Sequence, residues 1–372
     1  MALSSPTRFA RGLSLVELMV ALVVGLLLTA GAISVFLSNK STHEVTSGLS
    51  RLQENARFAL ETMLRDLRMA GGVGCVDNVG AITNKAMSAG GSRGVLWDLG
   101  VPVSPPDQPP GVGVEGLDNV QPGTSLWSAW ASPSEKSPED IIEGTDAVTV
   151  RYLEGPGKRH EGTVSDILVG GTPAVLDDLD VSAGDYVGLV DCSAGVLFQV
   201  SQTSGATVTS ASSESGSGKD FYPRLFRLHA ARYYVGAVRA EPGSAAENSR
   251  SLYRQTKTLE SPPEEIAPGV ENMQILYGIA SGDAPEAYVS AGDPELDTPE
   301  EWRSVVSIRF GLLLRTVDEQ GAEPDTRAYD LFSGRSFPSR EECGKGPGCV
   351  DPPDLRVRRR VFTTTVYLRN RT

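Results

Sequence analysis

The chain has 372 residues, with 34 Lys and Arg against 47 Asp and Glu, a net charge of −13 and a pI near 4.8. That acidity argues against a nucleic-acid binder, whose phosphate-facing surface needs net positive charge, and three His with four Cys are too few for a multi-metal protein. Gly 40 and Pro 24 exceed the usual share but stay short of a disordered or collagen-like composition, so length and composition point to a loop-rich, β-containing globular body of one large domain or two ordinary ones.

The first element is apolar. Residues 18–37, LMVALVVGLLLTAGAISVFL, carry no charge, and as a helix they span roughly 30 Å, the thickness of a bilayer core. Residues 1–12, MALSSPTRFARG, carry Arg8 and Arg11 and no acidic residue. The positive-inside rule keeps that end cytoplasmic and sends everything after Leu37 across. Glu17 stands at the entry to the run. Ionisable residues there are either interfacial or paired and functional. A cut after Gly12 would supply a partner, because Leu13 would become an N-terminal amine four residues before Glu17.

Gly12-Leu13-Ser14-Leu15-Val16-Glu17-Leu18 resembles the type IV prepilin signal. The resemblance implies that a prepilin peptidase of the inner membrane cuts between Gly12 and Leu13 and methylates the Leu13 amine. It implies further that Glu17 pairs with the N-terminus of a neighbouring subunit during assembly. Leu13 stands where Phe is commoner, and Ser14 where Thr is. Ala30-Gly31-Ala32 would suit an ordinary secretory cleavage, with a mature N-terminus at Ile33. Against that rival, the run exceeds the usual ~7–15-residue apolar region of a signal peptide.

Beyond Leu37 the sequence turns polar, yet Val45, Leu49, Leu52, Ala56, Ala59, Met63, Leu67 and Ala70 recur at helical spacing. Arg51, Glu54, Arg57, Glu61, Arg65 and Arg68 fall outside that stripe, and Glu61 and Arg65 are placed for an i,i+4 pair. Gly71-Gly72 supplies the stop. A helix from Leu13 to Ala70 would be about 87 Å long, and the helix-poor Ser38–Thr42 leaves a bend there open. The run LSRLQENARFALETMLRDLRMAGGVGC, with GVENMQILYG at 269–278 and the terminal RRRVFTTTVYLRNR, resembles the PilW type of minor pilin. That resemblance implies no catalytic residues, no cofactor and no metal. It implies partners among other minor and major pilins.

In the remainder, residues 101–123 hold six Pro and read as a long irregular loop, and the Ser/Gly/Thr-rich 201–218 as a hairpin tip or insertion. Strand candidates are 146–153, 185–191, 195–200, 225–235, 273–279, 304–316 and 361–368. The architecture expected is α+β: a long N-terminal helix on a mainly antiparallel β-sheet domain, as in pilins.

Cys75, Cys192, Cys343 and Cys349 all follow the predicted crossing, where an oxidising compartment favours disulfides. Four Cys allow three pairings. Cys343 and Cys349 can close a short Gly-rich loop, which leaves Cys75, after the helix, with Cys192, after a strand. A four-Cys metal site lacks the paired C-x₂-C spacing.

Other motifs carry less. Gly111-Val-Gly113-Val-Glu-Gly116 and Gly90-Gly-Ser92-Arg-Gly94 match dinucleotide and nucleophile-elbow patterns without the strand–turn–helix context either needs. His43 falls on the helix, and His160 and His229 read as structural. The acidic stretch 283–301, with Asp293 and Asp297, could hold Ca²⁺, but without a D-x-D-x-D-G core a solvated loop is favoured. Arg356, Arg358, Arg359, Arg360, Arg369 and Arg371 could face an anion such as DNA; the favoured reading pairs them with the acidic surplus.

The organisation expected is a leader at 1–12, a transmembrane and fibre-core helix at 13–37, its amphipathic continuation at 38–70, and a periplasmic β-rich domain at 71–372. The expected role is a minor pilin that primes type IV pilus assembly near the tip. It would be held first in the inner membrane, with its globular domain in the periplasm, and then in the fibre. A minor pseudopilin of type II secretion, and a membrane-tethered binding protein or adhesin, are the alternatives.

Overall fold

The computed structural model describes residues 14–75, 82–84, 114–117, 141–142, 144–159, 186–190, 192–193, 195–199, 224–238, 249–256, 263–282, 284–296, 299–302, 304–318, 325, 327–332, 336–337 and 356–369. Within them one long helix, α1 (Leu15–Met69), leads into strands in two main sheets, with a 3-10 turn at Pro294–Leu296 and a single helical turn at Pro299–Trp302 between strands of the second.

The first sheet is built from β1 (Ile82–Asn84), β2 (Val114–Leu117), β3 (Ala147–Arg159), β4 (Tyr186–Val190), β5 (Gly195–Gln199), β6 (Arg224–Ala237), β7 (Arg250–Thr256) and β8 (Glu264–Pro268). Its order is β1-β5-β4-β6-β3-β2. One edge of the long β6 is shared: β4 pairs with its first residues, Arg224–Arg227, and β7 with Ala231–Ala237, after which β8 pairs with β7. Only β1 and β5 run parallel among these pairs. The second sheet is antiparallel throughout, in the order β10-β9-β11-β14, from β9 (Val270–Ile279), β10 (Ala287–Val289), β11 (Val305–Arg315) and β14 (Arg359–Tyr367). A small ribbon joins β12 (Tyr329–Asp330) to β13 (Ser336–Phe337). This is the α+β plan expected from the sequence.

All seven expected strands are present, as β3, β4, β5, β6, β9, β11 and β14. β7 and β8 are additions to that set. Their sequences, RSLYRQT and EEIAP, are polar because much of each strand stays half-buried or exposed. The loop expected at 101–123 is corrected at β2, whose four residues pair with Ala147–Val150. A strand that short leaves no periodic signal.

β11 shows how the pattern maps to burial. Ile308, Phe310, Leu312 and Leu314 alternate onto the face that carries α1 and join the main core. Leu313 points to the other face and is also buried, against Leu331 with Val361 packed on them. Both faces are covered there, so the sequence runs Leu-Leu-Leu where alternation would end.

α1 is about 82 Å long and is helical throughout Ser38–Thr42, where the sequence leaves a bend open. The hydroxyls there are absorbed by the helix itself. Thr42, Thr46 and Ser50 donate to the carbonyls of Ser38, Thr42 and Thr46 at 2.9, 2.8 and 3.0 Å, so they do not compete for other backbone groups. The helix stops at Gly71, whose φ of 71° lies in the left-handed region. Its last turn is then spliced to β3: Gly71 N–H donates to the Arg151 carbonyl at 3.0 Å, and Leu153 N–H to the Gly72 carbonyl at 2.7 Å.

The expected stripe is the buried face. Leu52, Ala56, Ala59, Met63, Leu67 and Ala70 are fully enclosed, and Val45 and Leu49 are half-buried. The stripe shares one core with Val148, Val150 and Tyr233 of the first sheet and Met273, Phe310 and Val366 of the second. The helix therefore ties the two sheets together. A disulfide joins Cys75, just past the end of α1, to Cys192 beyond β4, with Cα atoms 4.6 Å apart. Cys343 and Cys349 lie outside the described residues.

Candidate functional site

The part of the chain placed to act on other molecules is α1 itself. From Ser14 to Glu44 every residue is exposed, including Leu18, Val23, Leu27, Ile33 and Phe36. This segment is long and apolar enough to cross a membrane, and among the described residues nothing of its own chain packs on it. A core helix of equal hydrophobicity would be covered, and an exposed apolar surface of this extent marks a site of interaction.

Gly12 and Leu13 lie outside the described residues, which begin at Ser14. Ser14 is the N-cap: its Oγ accepts the Glu17 backbone N–H at 3.1 Å. Ser14-x-x-Glu17 has the capping-box spacing, a second use of these residues that the motif alone did not suggest. It fixes the helix start immediately after the expected cleavage point. Glu17 is exposed in the first turn, where the helix dipole favours a carboxylate.

At its other end α1 is anchored by a buried carboxylate. Asp66 is 2% exposed. Its Oδ2 accepts from Tyr233 Oη at 2.6 Å and from Arg254 at 2.8 and 3.1 Å, and its Oδ1 accepts from Tyr152 Oη at 3.1 Å. Residues from β3, β6 and β7 thus hold one helical side chain. Charge pairing with Arg254 and the hydrogen bonds from both phenols make the burial of Asp66 tolerable. Burial, and then the Asp66 charge, push both Tyr phenols above their ordinary range.

His229 completes this cluster, stacked on Tyr152 at 4.7 Å. Arg254 lies 3.2 Å from His229 Nε2. Arginine can only donate, so Nε2 accepts and the ring proton sits on Nδ1, 3.8 Å from Glu154 Oε2. Burial lowers the His229 pKa, and the nearby Asp66 and Glu154 carboxylates only partly oppose that. The histidine has a structural role, as its sequence context suggested.

A second buried carboxylate secures the second sheet. Glu271 of β9 receives Arg359 of β14 at 2.7 and 3.1 Å, and Arg315 of β11 lies 3.6 Å away. Arg359 therefore behaves as the pairing reading of the C-terminal arginines expected. Next to it, Asp325 takes Arg327 at 2.9 and 3.0 Å and Tyr329 at 2.5 Å. Burial raises the Asp325 pKa, but those hydrogen bonds outweigh it and bring it to about 2.

Neither Asp66 nor Glu271 stands among the residues expected from the sequence to matter. Both left a trace there. Asp66 is a charge inside the apolar stripe, between Met63 and Leu67, and Glu271 interrupts a strand that is otherwise mostly apolar. One expected pair is corrected. Glu61 pairs with Arg57 at 3.5 Å, not with Arg65, because Arg57 sits between Glu54 and Glu61 and reaches both. In the acidic stretch, Asp293 Oδ1 caps the backbone N–H of Glu295, and the Asp297 side chain is not among the described residues. Among the described residues no His/Cys/Asp/Glu group is arranged to hold a metal. Ser92 and His160 lie outside the described residues, and His43 is exposed on α1.

Comparison with protein families places two segments. The family described as Type IV Pilus-assembly protein W matches residues 232–370, which run from the middle of β6 through β14. The Prokaryotic N-terminal methylation motif matches residues 7–33, which include Gly12, Leu13 and Glu17. No curated protein and no solved structure matches the chain.

Proposed function

This chain is a PilW-like type IV pilin, and from that premise we propose that it is a minor pilin which helps to prime pilus assembly and sits near the fibre tip. A prepilin peptidase cuts Gly12–Leu13 and methylates Leu13. Until assembly, residues 13–37 hold the chain in the inner membrane, with residues 71–372 in the periplasm as one β-rich domain. The segment 38–70 continues the helix onto that domain. In the fibre, residues 13–37 pack among the apolar helices of other minor and major pilins.

The observation that carries this reading is the division of α1. Its first half is wholly exposed and apolar, while its second half is fixed to both sheets by a buried stripe and by Asp66. A rigid rod that leaves its domain and ends in an uncovered apolar surface is suited to helix-to-helix assembly. Moving from lipid to a helix bundle gains little hydrophobically. A charged partner for Glu17, the N-terminal amine of a neighbouring subunit, would supply register. The capping role of Ser14 supports this, since it starts the helix directly after this chain's own Leu13, whose amine would meet the corresponding Glu of a neighbour.

Glu17→Ala should leave cleavage intact and prevent incorporation into pili, measured as the ratio of this chain in sheared fibres to that in membranes. Normal incorporation of Glu17→Ala would refute the pairing role. A chain that stays in the membrane while the cell makes pili would favour the tethered binding protein instead.

A further inference from the structure

We propose that the outward ridge of α1 from Arg51 to Arg68 is a docking seam for the helix of a different pilin subunit, with Phe58 as its apolar anchor. The inference rests on the pilin reading and extends it from the apolar half of the helix to the half that carries the domain.

Beyond Leu37, few large apolar side chains are exposed among the described residues, and two of them are on α1: Phe58, 53% exposed, and Met69, 40% exposed. They are eleven residues apart, which at 3.6 residues per turn leaves them about 20° apart around the helix. Both face away from the sheets. Phe36, in the exposed apolar half, is 22 residues before Phe58 and lies about 40° from the same line. The ridge therefore continues a surface already addressed to other molecules.

Arg51, Glu54, Phe58, Glu61, Arg65 and Arg68 follow one another at spacings of 3, 4, 3, 4 and 3. That is the spacing by which one helix presents a seam to another at a shallow crossing angle. Most of this ridge is open to solvent, Arg51, Glu54, Phe58 and Glu61 among it. The seam is not a hydrophobic zipper, because its large exposed apolar side chains are Phe58 and, just past its end, Met69.

The charges identify the occupant. Arg57, beside the seam, holds Glu54 and Glu61 at 2.9 and 3.5 Å, and Arg51 reaches Asp318 at 3.6 Å. Arg65 and Arg68 have no ion pair among the described residues. In a chain of net charge −13, an exposed Phe followed about 10 and 15 Å further along the same ridge by two cations fits an amphipathic helix that carries an apolar stripe and carboxylates. A second copy in register would set Arg65 and Arg68 against themselves. Lipid is out of reach, since Phe58 is roughly 30 Å along the helix from Leu37.

The test places a photo-crosslinking residue, Phe58→p-benzoylphenylalanine, in the full-length chain expressed in cells that assemble pili, with Phe36→p-benzoylphenylalanine in parallel. The expected result is that both positions capture a different pilin, identified by mass spectrometry. Arg65→Glu with Arg68→Glu should then reduce capture from position 58 about tenfold, and Phe58→Ser should lower incorporation by a similar factor with an unchanged melting temperature. Capture from position 36 but not 58, or capture at 58 of lipid or of a second copy, overturns the seam and leaves the pilin reading standing. Absence of pilin adducts from position 36 overturns the pilin reading, and the seam with it.

Discussion

The two halves of α1 differ in where their partners are. From Val45 onward the apolar positions close on the chain's own sheets, and Leu52, Ala56, Ala59, Met63 and Leu67 are enclosed. From Leu15 to Glu44 no described residue covers them, although the apolar content is higher. Hydrophobic periodicity alone already separates the halves. The buried half is amphipathic because one face meets protein and the other water, whereas the exposed half is apolar all round, a pattern suited to apolar surroundings on every side. On the proposed function the buried half answers to folding stability and the exposed half to assembly, and substitutions should sort accordingly.

The largest effect is expected at Asp66. Asp66→Asn keeps the shape but removes the charge that Arg254, Tyr233 and Tyr152 converge on. It should lower the unfolding free energy of the full-length protein in detergent by about 3–5 kcal/mol, since it strands a partly buried Arg. A loss below about 1 kcal/mol would mean that the cluster does not hold the helix. Met63→Ala, at the centre of the buried stripe, should cost about 2–4 kcal/mol. Leu26→Ala, on the exposed half, should leave the domain's melting unchanged within about 0.5 kcal/mol. If the two proved equally destabilising, the division of α1 would fail.

A smaller effect is expected where the helix ends. Gly71→Ala places a side chain in the left-handed region and should cost about 1 kcal/mol in chemical denaturation. The smallest concerns pH. Burial holds the His229 pKa below its ordinary value of 6.5, against the pull of Asp66 and Glu154 and with the push of Arg254 and Arg227. The unfolded chain therefore takes up the proton first. Stability from this group is complete above the ordinary histidine pKa and declines as pH falls below it toward the folded value. His229→Gln should flatten that part of the stability profile between about pH 7 and 5, and an unchanged profile would assign the dependence elsewhere.

Much of this was legible in the sequence because it rests on short-range patterns. The apolar run, the 3–4 stripe from Leu52 to Ala70, the Gly71-Gly72 stop and the alternation in β11 each reflect one local burial environment. The polar anchors were less legible because each joins residues far apart in the chain. Asp66 meets Tyr152, Tyr233 and Arg254, and Glu271 meets Arg359; no spacing rule links such positions. The Cys75–Cys192 bridge follows in the sequence by elimination, because Cys343 and Cys349 can close a short loop of their own, a route that pairs of Asp, Tyr and Arg do not offer. Arg57 shows a finer limit. The sequence allows both Glu61–Arg65 and Arg57–Glu61, and side-chain placement decides for the second.

The central claim is that this chain leaves the membrane to become a fibre subunit. Its most direct test is mass spectrometry of the N-terminal peptide of the protein recovered from sheared, purified pili. The account predicts a peptide that begins with N-methylated Leu13 and contains Glu17. A peptide that begins at Ile33, or absence of the chain from pili while it is abundant in membranes, would contradict it.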